Sequence, residues 1–149
     1  MNKSIHVING PNLNLLGVRE PAIYGTTTLA EIQSRCEKRA RDGGFSVSFF
    51  QSNHEGELVD LIQAARGDAG AIVINAAGYS FYSVAILDAL KTFDGPIVEV
   101  HISNIHQRDK FHRHSILSTV ATGVICGLGP HGYLSAIDAI ISKPARQED

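Results

Sequence analysis

The sequence has no tryptophan, a single methionine at its start, and only two cysteines in 149 residues. Two cysteines cannot build the disulfide framework on which small secreted domains rely. Cys36 falls in a helical pattern and Cys126 in an apolar run, with no evident partner for either, so both are read as reduced thiols. A basic excess is lacking too, since the formal net charge is −2. Counterion-release binding needs clustered lysine and arginine, so a general nucleic-acid or membrane-surface binder is excluded and any anion site must be local. No apolar run reaches membrane-spanning length, and the first residues lead into a strand without a basic-then-apolar targeting pattern. The expectation is a cytoplasmic protein. What is present is 44% hydrophobic content, enough for one well-formed core, so residues 1–149 are expected to be a single domain.

Along the chain, Ile5–His6–Val7–Ile8 is a β-rich run stopped by Asn9–Gly10–Pro11. Residues 12–28 read as a long polar loop. Leu29, Ile32, Cys36 and Ala40 then mark a helical stripe that Gly43–Gly44 ends. Residues 45–51 predict a second strand, and residues 57–66 a helix with Leu58, Leu61, Ile62 and Ala65 on one face and Gly67 and Gly70 bracketing its exit. Ala71–Ile72–Val73–Ile74 is apolar throughout, as befits a parallel strand covered on both faces. Ser83 is placed to cap a helix over 84–92, residues 97–100 form a fourth strand and 122–126 a fifth, and residues 133–141 form a closing helix before a polar tail at 143–149. Regular β-α alternation predicts a five-stranded, doubly wound parallel sheet of the flavodoxin-like kind.

Ligands in such sheets bind beyond the carboxyl ends of the strands. That rule selects Asn9, Asn12 and the loop bearing Arg19 and Tyr24 after the first strand, Asn75 after the third, and Glu99, His101, Ser103 and Asn104 around the end of the fourth. Glu99 and His101 are two residues apart, so in a strand their side chains share a face. The carboxylate can then orient the ring and keep it available as a general acid. A purely structural pair is the alternative.

The loop Gly10–Pro11–Asn12–Leu13–Asn14–Leu15–Leu16–Gly17–Val18–Arg19–Glu20–Pro21–Ala22–Ile23–Tyr24–Gly25 closely resembles the lid of type II 3-dehydroquinate dehydratases. Glu99–Val100–His101–Ile102–Ser103–Asn104–Ile105–His106 is similar to that family's strand-four motif, and Ala121–Thr122–Gly123–Val124–Ile125–Cys126–Gly127–Leu128–Gly129 to its last strand. The resemblance implies an anti elimination of water from 3-dehydroquinate, an anionic cyclic substrate, without metal or organic cofactor. It implies that Tyr24 as phenolate removes the proton beside the ketone, that Asn12 and an ordered water hold the enolate, and that His101 protonates the departing hydroxyl. Asn75 and the backbone at Ile102 and Ser103 would hold the substrate carboxylate and nearby oxygens. A phenol is mostly protonated at neutral pH, so a phenolate base needs nearby cations. Arg19 is the first candidate, with Arg108 as its support. The family's trimer-based dodecamer is implied as well, Asp88 matching a residue that contributes to a neighbouring subunit's site.

Three positions depart from the family pattern. Phe81 stands where relatives usually carry histidine, His112 where they usually carry an arginine that binds a substrate hydroxyl, and Leu87 where an arginine usually precedes Asp88. Arg113 is a possible replacement for the lost arginine. All three changes fall on substrate recognition, which leaves two alternatives beside the dehydratase: an enzyme acting on a different cyclic hydroxy-keto acid, or a non-catalytic ligand-binding or regulatory homologue. Gly127–Leu128–Gly129–Pro130–His131–Gly132 fits a dinucleotide fingerprint, but it follows the last strand rather than the first and is assigned to a tight turn. His101, His106, His112 and His114 lack the cysteines or carboxylates of a zinc site, and His106 and His114 are read as polar groups on the rim of the anion site.

Overall fold

A computed structural model describes residues 2–142. The tail expected at 143–149 lies outside the described residues. Five strands form one sheet, β1 (Ser4–Asn9), β2 (Ser46–Gln51), β3 (Ala71–Asn75), β4 (Ile97–His101) and β5 (Gly123–Cys126), in the order β2-β1-β3-β4-β5 with every pairing parallel. This is the expected flavodoxin-like order, with its switch point where β1 lies between β2 and β3.

The helices follow from the apolar stripes. α1 (Pro21–Tyr24) is a single turn, and α2 (Leu29–Asp42) starts where Thr28 Oγ1 accepts the Glu31 amide at 3.2 Å. α2 and α5 (His131–Ser142) cover one sheet face, burying Ile32, Cys36 and Ala40 with Ala136, Ile137 and Ile140 over Ile5, Val7, Val73 and Val100. α3 (Glu55–Asp68) and α4 (Val84–Leu90) cover the other, with Leu58, Ile62, Ala65, Ile86 and Leu90 packed on Ile8, Ile72 and Ile74. Alternate strand residues therefore enter opposite cores, as a two-residue period requires. Ser83 Oγ caps α4 by accepting the Ile86 amide at 3.1 Å, as its position predicts. No helix among the described residues is long and apolar enough to cross a membrane.

The helix expected over 57–66 runs from Glu55 to Asp68, so that its end falls between Gly67 and Gly70. One expectation of the fold needs correction. The segment 12–28 is not a uniformly polar loop. Leu13, in a short 3-10 turn at Leu13–Leu15, and Leu16 are buried against the α2 side of the core. The spacing of three between them carries an apolar helical signal inside a stretch rich in asparagine and glycine. Burying two leucines holds the base of the segment while leaving Val18 and Ile23 exposed.

Candidate active site

The strand ends are held close where ligands should sit. Gly10 donates its amide to the Asn75 carbonyl at 2.8 Å, and a Cβ on Gly10 would stand 2.4 Å from the Ala76 carbonyl oxygen. Only glycine permits that approach, and it brings the exits of β1 and β3 together beneath the segment carrying Tyr24. A cleft of about 150 Å³ opens there, lined among others by Asn12, Arg19, Tyr24, Asn75, Phe81 and His101. Ile102, Ser103, Arg108 and His112 complete its wall. Its size suits one ring-sized molecule rather than a dinucleotide.

Tyr24 ends the α1 turn, its start set by Pro21 at the first helical position and its end by Gly25 at φ 78°. Two cations face its ring, the Arg19 guanidinium carbon at 5.1 Å from the centroid and that of Arg108 at 5.6 Å. Arg19 is offset in part by Glu20, 3.7 Å away. Arg113, weighed as a replacement cation, is exposed and does not line the cleft. Its Nε instead donates to the Arg108 carbonyl, bracing the backbone of the arginine that does reach Tyr24.

His101 closes the opposite wall at the end of β4. Its Nε2 contacts Glu99 Oε2, the shared face that a spacing of two predicts, and both side chains are buried. Glu99 does not line the cleft and touches it only through His101, which makes it a positioning residue. Ser118 Oγ donates to the second carboxylate oxygen, Oε1, at 2.6 Å, and Ser115 lies beside the same group. Burial pushes the Glu99 carboxyl up, but the bonds from His101 and Ser118, with the His101 charge, outweigh it and hold the group below its ordinary value. With Nε2 committed, Nδ1 is the ring nitrogen left to exchange a proton.

Phe81 and His112, two departures from the family pattern, are packed on each other. Their ring centroids lie 5.3 Å apart, edge to face at 72°, and Phe81 also faces His101 at 6.0 Å. His112 Nδ1 meets both carboxylate oxygens of Asp109 at 2.9 Å, which leaves Nε2 uncommitted. The hydrogen bond from His112, slightly opposed by desolvation and aided by the Phe111 amide, holds the Asp109 carboxyl below its ordinary value. Leu87, the third departure, packs against the α4 side of the core.

Asn75 is almost fully buried yet reaches the cleft. Its Oδ1 accepts the Ala77 amide at 3.2 Å, with Ala77 in the left-handed region at φ 51°. Asp88 is exposed on α4, 3.9 Å from Lys91, and lies outside its own chain's cleft. His106 and His114 are exposed and do not line the cleft, so their assignment to its rim fails. Gly127 and Gly129, at φ 85° and 63°, form the expected tight turn. Among the described residues no group of three or more His, Cys, Asp or Glu is placed to hold a metal ion. Asp109, Ser118 and Tyr133 were not singled out from the sequence. Asp109 carried one local signal, its spacing of three before His112.

Known proteins with this pattern agree with one another. The family model described as Dehydroquinase class II matches residues 3–141. The 3-dehydroquinate dehydratase of Cereibacter sphaeroides is 54% identical over 142 residues, spanning 95% of this chain and 97% of that protein. The 3-dehydroquinate dehydratase of Streptomyces avermitilis is 58% identical over 140 residues, spanning 93% and 88%. Among solved structures, the type II dehydroquinase of Propionibacterium acnes superposes with a TM-score of 0.92 at 43% identity, covering 96% of this chain and 99% of that one. The chain belongs to the class II dehydroquinases.

Proposed function

We propose that the chain is a 3-dehydroquinate dehydratase, a hydro-lyase that removes water from 3-dehydroquinate by anti elimination to give 3-dehydroshikimate. The observation that carries this reading is the pairing, across one cleft, of a tyrosine facing two guanidinium groups with a histidine backed by a buried carboxylate. Relatives bearing that name at 54% identity and near-complete coverage support it.

Tyr24 as phenolate takes the proton beside the ketone, and the charge that leaves the phenol is the charge gained by the enolate. Arg19 and Arg108 favour the anionic phenol beforehand, because a cation close to an ionisable oxygen stabilises its charged form. Asn12, at the mouth of the cleft, stabilises the enolate oxygen. His101 then gives a proton to the departing hydroxyl, which leaves as water, and Glu99 stabilises the imidazolium before that transfer. Asn75, with the backbone at Ile102 and Ser103, holds the substrate carboxylate. His112 donates from Nδ1 to Asp109, so its Nε2 accepts from a ring hydroxyl, while Phe81 supplies an apolar wall that fixes the His112 ring.

Two free cysteines and the absence of a membrane-crossing helix among the described residues support a cytoplasmic enzyme. Burial keeps the Cys36 thiol protonated, its pKa pushed up to about 12. A trimer-based dodecamer is the assembly we propose, since Asp88 lies outside its own cleft on an exposed helix face and is thereby free to serve a neighbour's. The step belongs to the shikimate pathway or, run in catabolism, to quinate breakdown. Purified protein mixed with 3-dehydroquinate and followed by the absorbance of the enone product tests the activity. Turnover is expected; its absence at millimolar substrate would remove the dehydratase reading, and binding without turnover would favour a regulatory homologue.

A further inference from the structure

Tyr133, on α5, is an ionisable side chain that the proposed chemistry leaves unused, and it has no exposed surface. Its hydroxyl sits at the centre of a hydrogen-bonded relay joining four elements, α5, β3, β1 and β2. Asn75 Nδ2 donates to the Tyr133 oxygen at 2.9 Å, the Tyr133 hydroxyl donates to Asn9 Oδ1 at 2.7 Å, and Asn9 Nδ2 donates to the Phe50 carbonyl at 3.0 Å. Asn9 is fully buried and Asn75 nearly so.

The direction of this relay is fixed from both ends. The Phe50 carbonyl can only accept, so Asn9 must present its amide nitrogen there and its Oδ1 to Tyr133. Tyr133 has one hydrogen and gives it to Asn9, so its oxygen must accept from Asn75. At the far end the Ala77 amide can only donate, which requires Asn75 Oδ1 on that side. One Nδ2 hydrogen of Asn75 thus goes to Tyr133 and Oδ1 is occupied. The second Nδ2 hydrogen is the amide's only uncommitted donor, in a side chain that lines the cleft. Burial raises the Tyr133 hydroxyl far above its ordinary range, so the relay keeps its direction across the pH span in which the enzyme works.

We propose that Tyr133 is a positioning residue for substrate binding, holding the Asn75 amide in the one orientation that offers a free N–H to an anionic oxygen of the ligand. The proposal rests on Asn75 being a substrate contact. Removing the hydroxyl leaves Asn9 Oδ1 without a donor and leaves the Asn75 amide tethered only by the 3.2 Å bond from Ala77. A contact made equally in the ground and transition states affects KM and leaves kcat in place.

Steady-state kinetics with 3-dehydroquinate on wild type, Tyr133→Phe, Asn75→Ala and the double variant test this, with thermal unfolding measured alongside. Tyr133→Phe is expected to raise KM roughly 5- to 30-fold with kcat within about threefold, by an amount constant from pH 6 to 9. In the Asn75→Ala background the same change should move KM by less than about twofold, because the path through Asn75 is gone. An unchanged KM in Tyr133→Phe, or an equal rise with and without Asn75, overturns the proposal and leaves Tyr133 a purely structural residue. Should Tyr133→Phe not fold, Asn9→Ala breaks the relay from its other end while keeping the phenol, and a KM rise absent there overturns the proposal equally. Failure of the wild type to turn over 3-dehydroquinate strikes the dehydratase reading, and the inference with it. Turnover by the wild type with an unmoved KM in the variant strikes this inference alone.

Discussion

Glu99 and His101 meet through Oε2 and Nε2 at the end of β4, while Ser118 occupies the other carboxylate oxygen at 2.6 Å. Each oxygen of the buried carboxylate therefore has its own partner, and the ring of His101 cannot rotate without breaking a contact that has no solvent to replace it. The arrangement fixes the ring of His101 at the cleft with Nδ1 uncommitted, the orientation a general acid needs before the hydroxyl leaves.

Glu99→Gln keeps the shape and one acceptor but removes the charge. We expect kcat to fall roughly 10- to 100-fold with KM little changed, less than the roughly 10²- to 10⁴-fold a general acid contributes, because His101 itself stays in place. Ser118→Ala should cost only about two- to fivefold in kcat, since the carboxylate stays. A Glu99→Gln variant with kcat within twofold of wild type would show that Glu99 is structural rather than a partner in proton transfer.

Arg19 and Arg108 approach the Tyr24 ring from 5.1 and 5.6 Å, and neither alone is expected to sustain the phenolate. Replacing either by alanine should lower kcat roughly 10- to 100-fold. Tyr24→Phe should lose about 10²- to 10⁴-fold at every pH. Steady-state kinetics decide the matter: kcat within twofold of wild type in both arginine variants would sink the electrostatic role.

What the sequence made legible was whatever has a short period or a fixed chemical role. The apolar run at residues 71–74 gave a central strand, Ser83 gave a cap, and the spacing of two between Glu99 and His101 gave their contact. Features decided by distant packing left no such trace. Nothing near Tyr133 announces that its hydroxyl will meet Asn9, 124 positions away. Arg108 and Arg113 are equivalent as letters; only the fold turns one to Tyr24 and the other to a backbone carbonyl. Ala77 at φ 51° is a conformation that alanine disfavours, found where its amide donates to Asn75 Oδ1 and invisible in its own preference.

His112 is the test of how this site recognises a ring hydroxyl. Asp109 fixes Nδ1 from two oxygens and Phe81 fixes the ring plane, leaving Nε2 as the free acceptor. His112→Ala should raise KM roughly 3- to 30-fold with kcat changed by less than about threefold, the effect of losing one hydrogen bond to a ligand. Asp109→Asn should produce a smaller rise, because the ring stays but loses its anchor. Both KM values staying at wild type would place His112 outside the substrate's reach.

Stability should decline in two stages as the solution is acidified. His6 on β1 is buried with Nδ1 unpartnered, and burial lowers its pKa from the ordinary 6.5 against a weaker opposing pull from Asp68. The unfolded chain then takes up a proton at His6 before the folded chain does, so the folded state is disfavoured as pH falls below about 6.5. Glu99 acts in the same direction for the opposite reason. Its folded carboxyl titrates below the ordinary 4.5, so the stability it contributes is complete above that pH and is lost as pH falls through the lower folded value. Thermal unfolding between pH 8 and 3 should show a level Tm above about 6.5, a first decline below it and a steeper one below about 4.5. His6→Leu should abolish the first stage and leave the second, while Glu99→Gln should leave the first and reduce the second, to which Asp109 also contributes; a first stage that survives His6→Leu would assign it to another group.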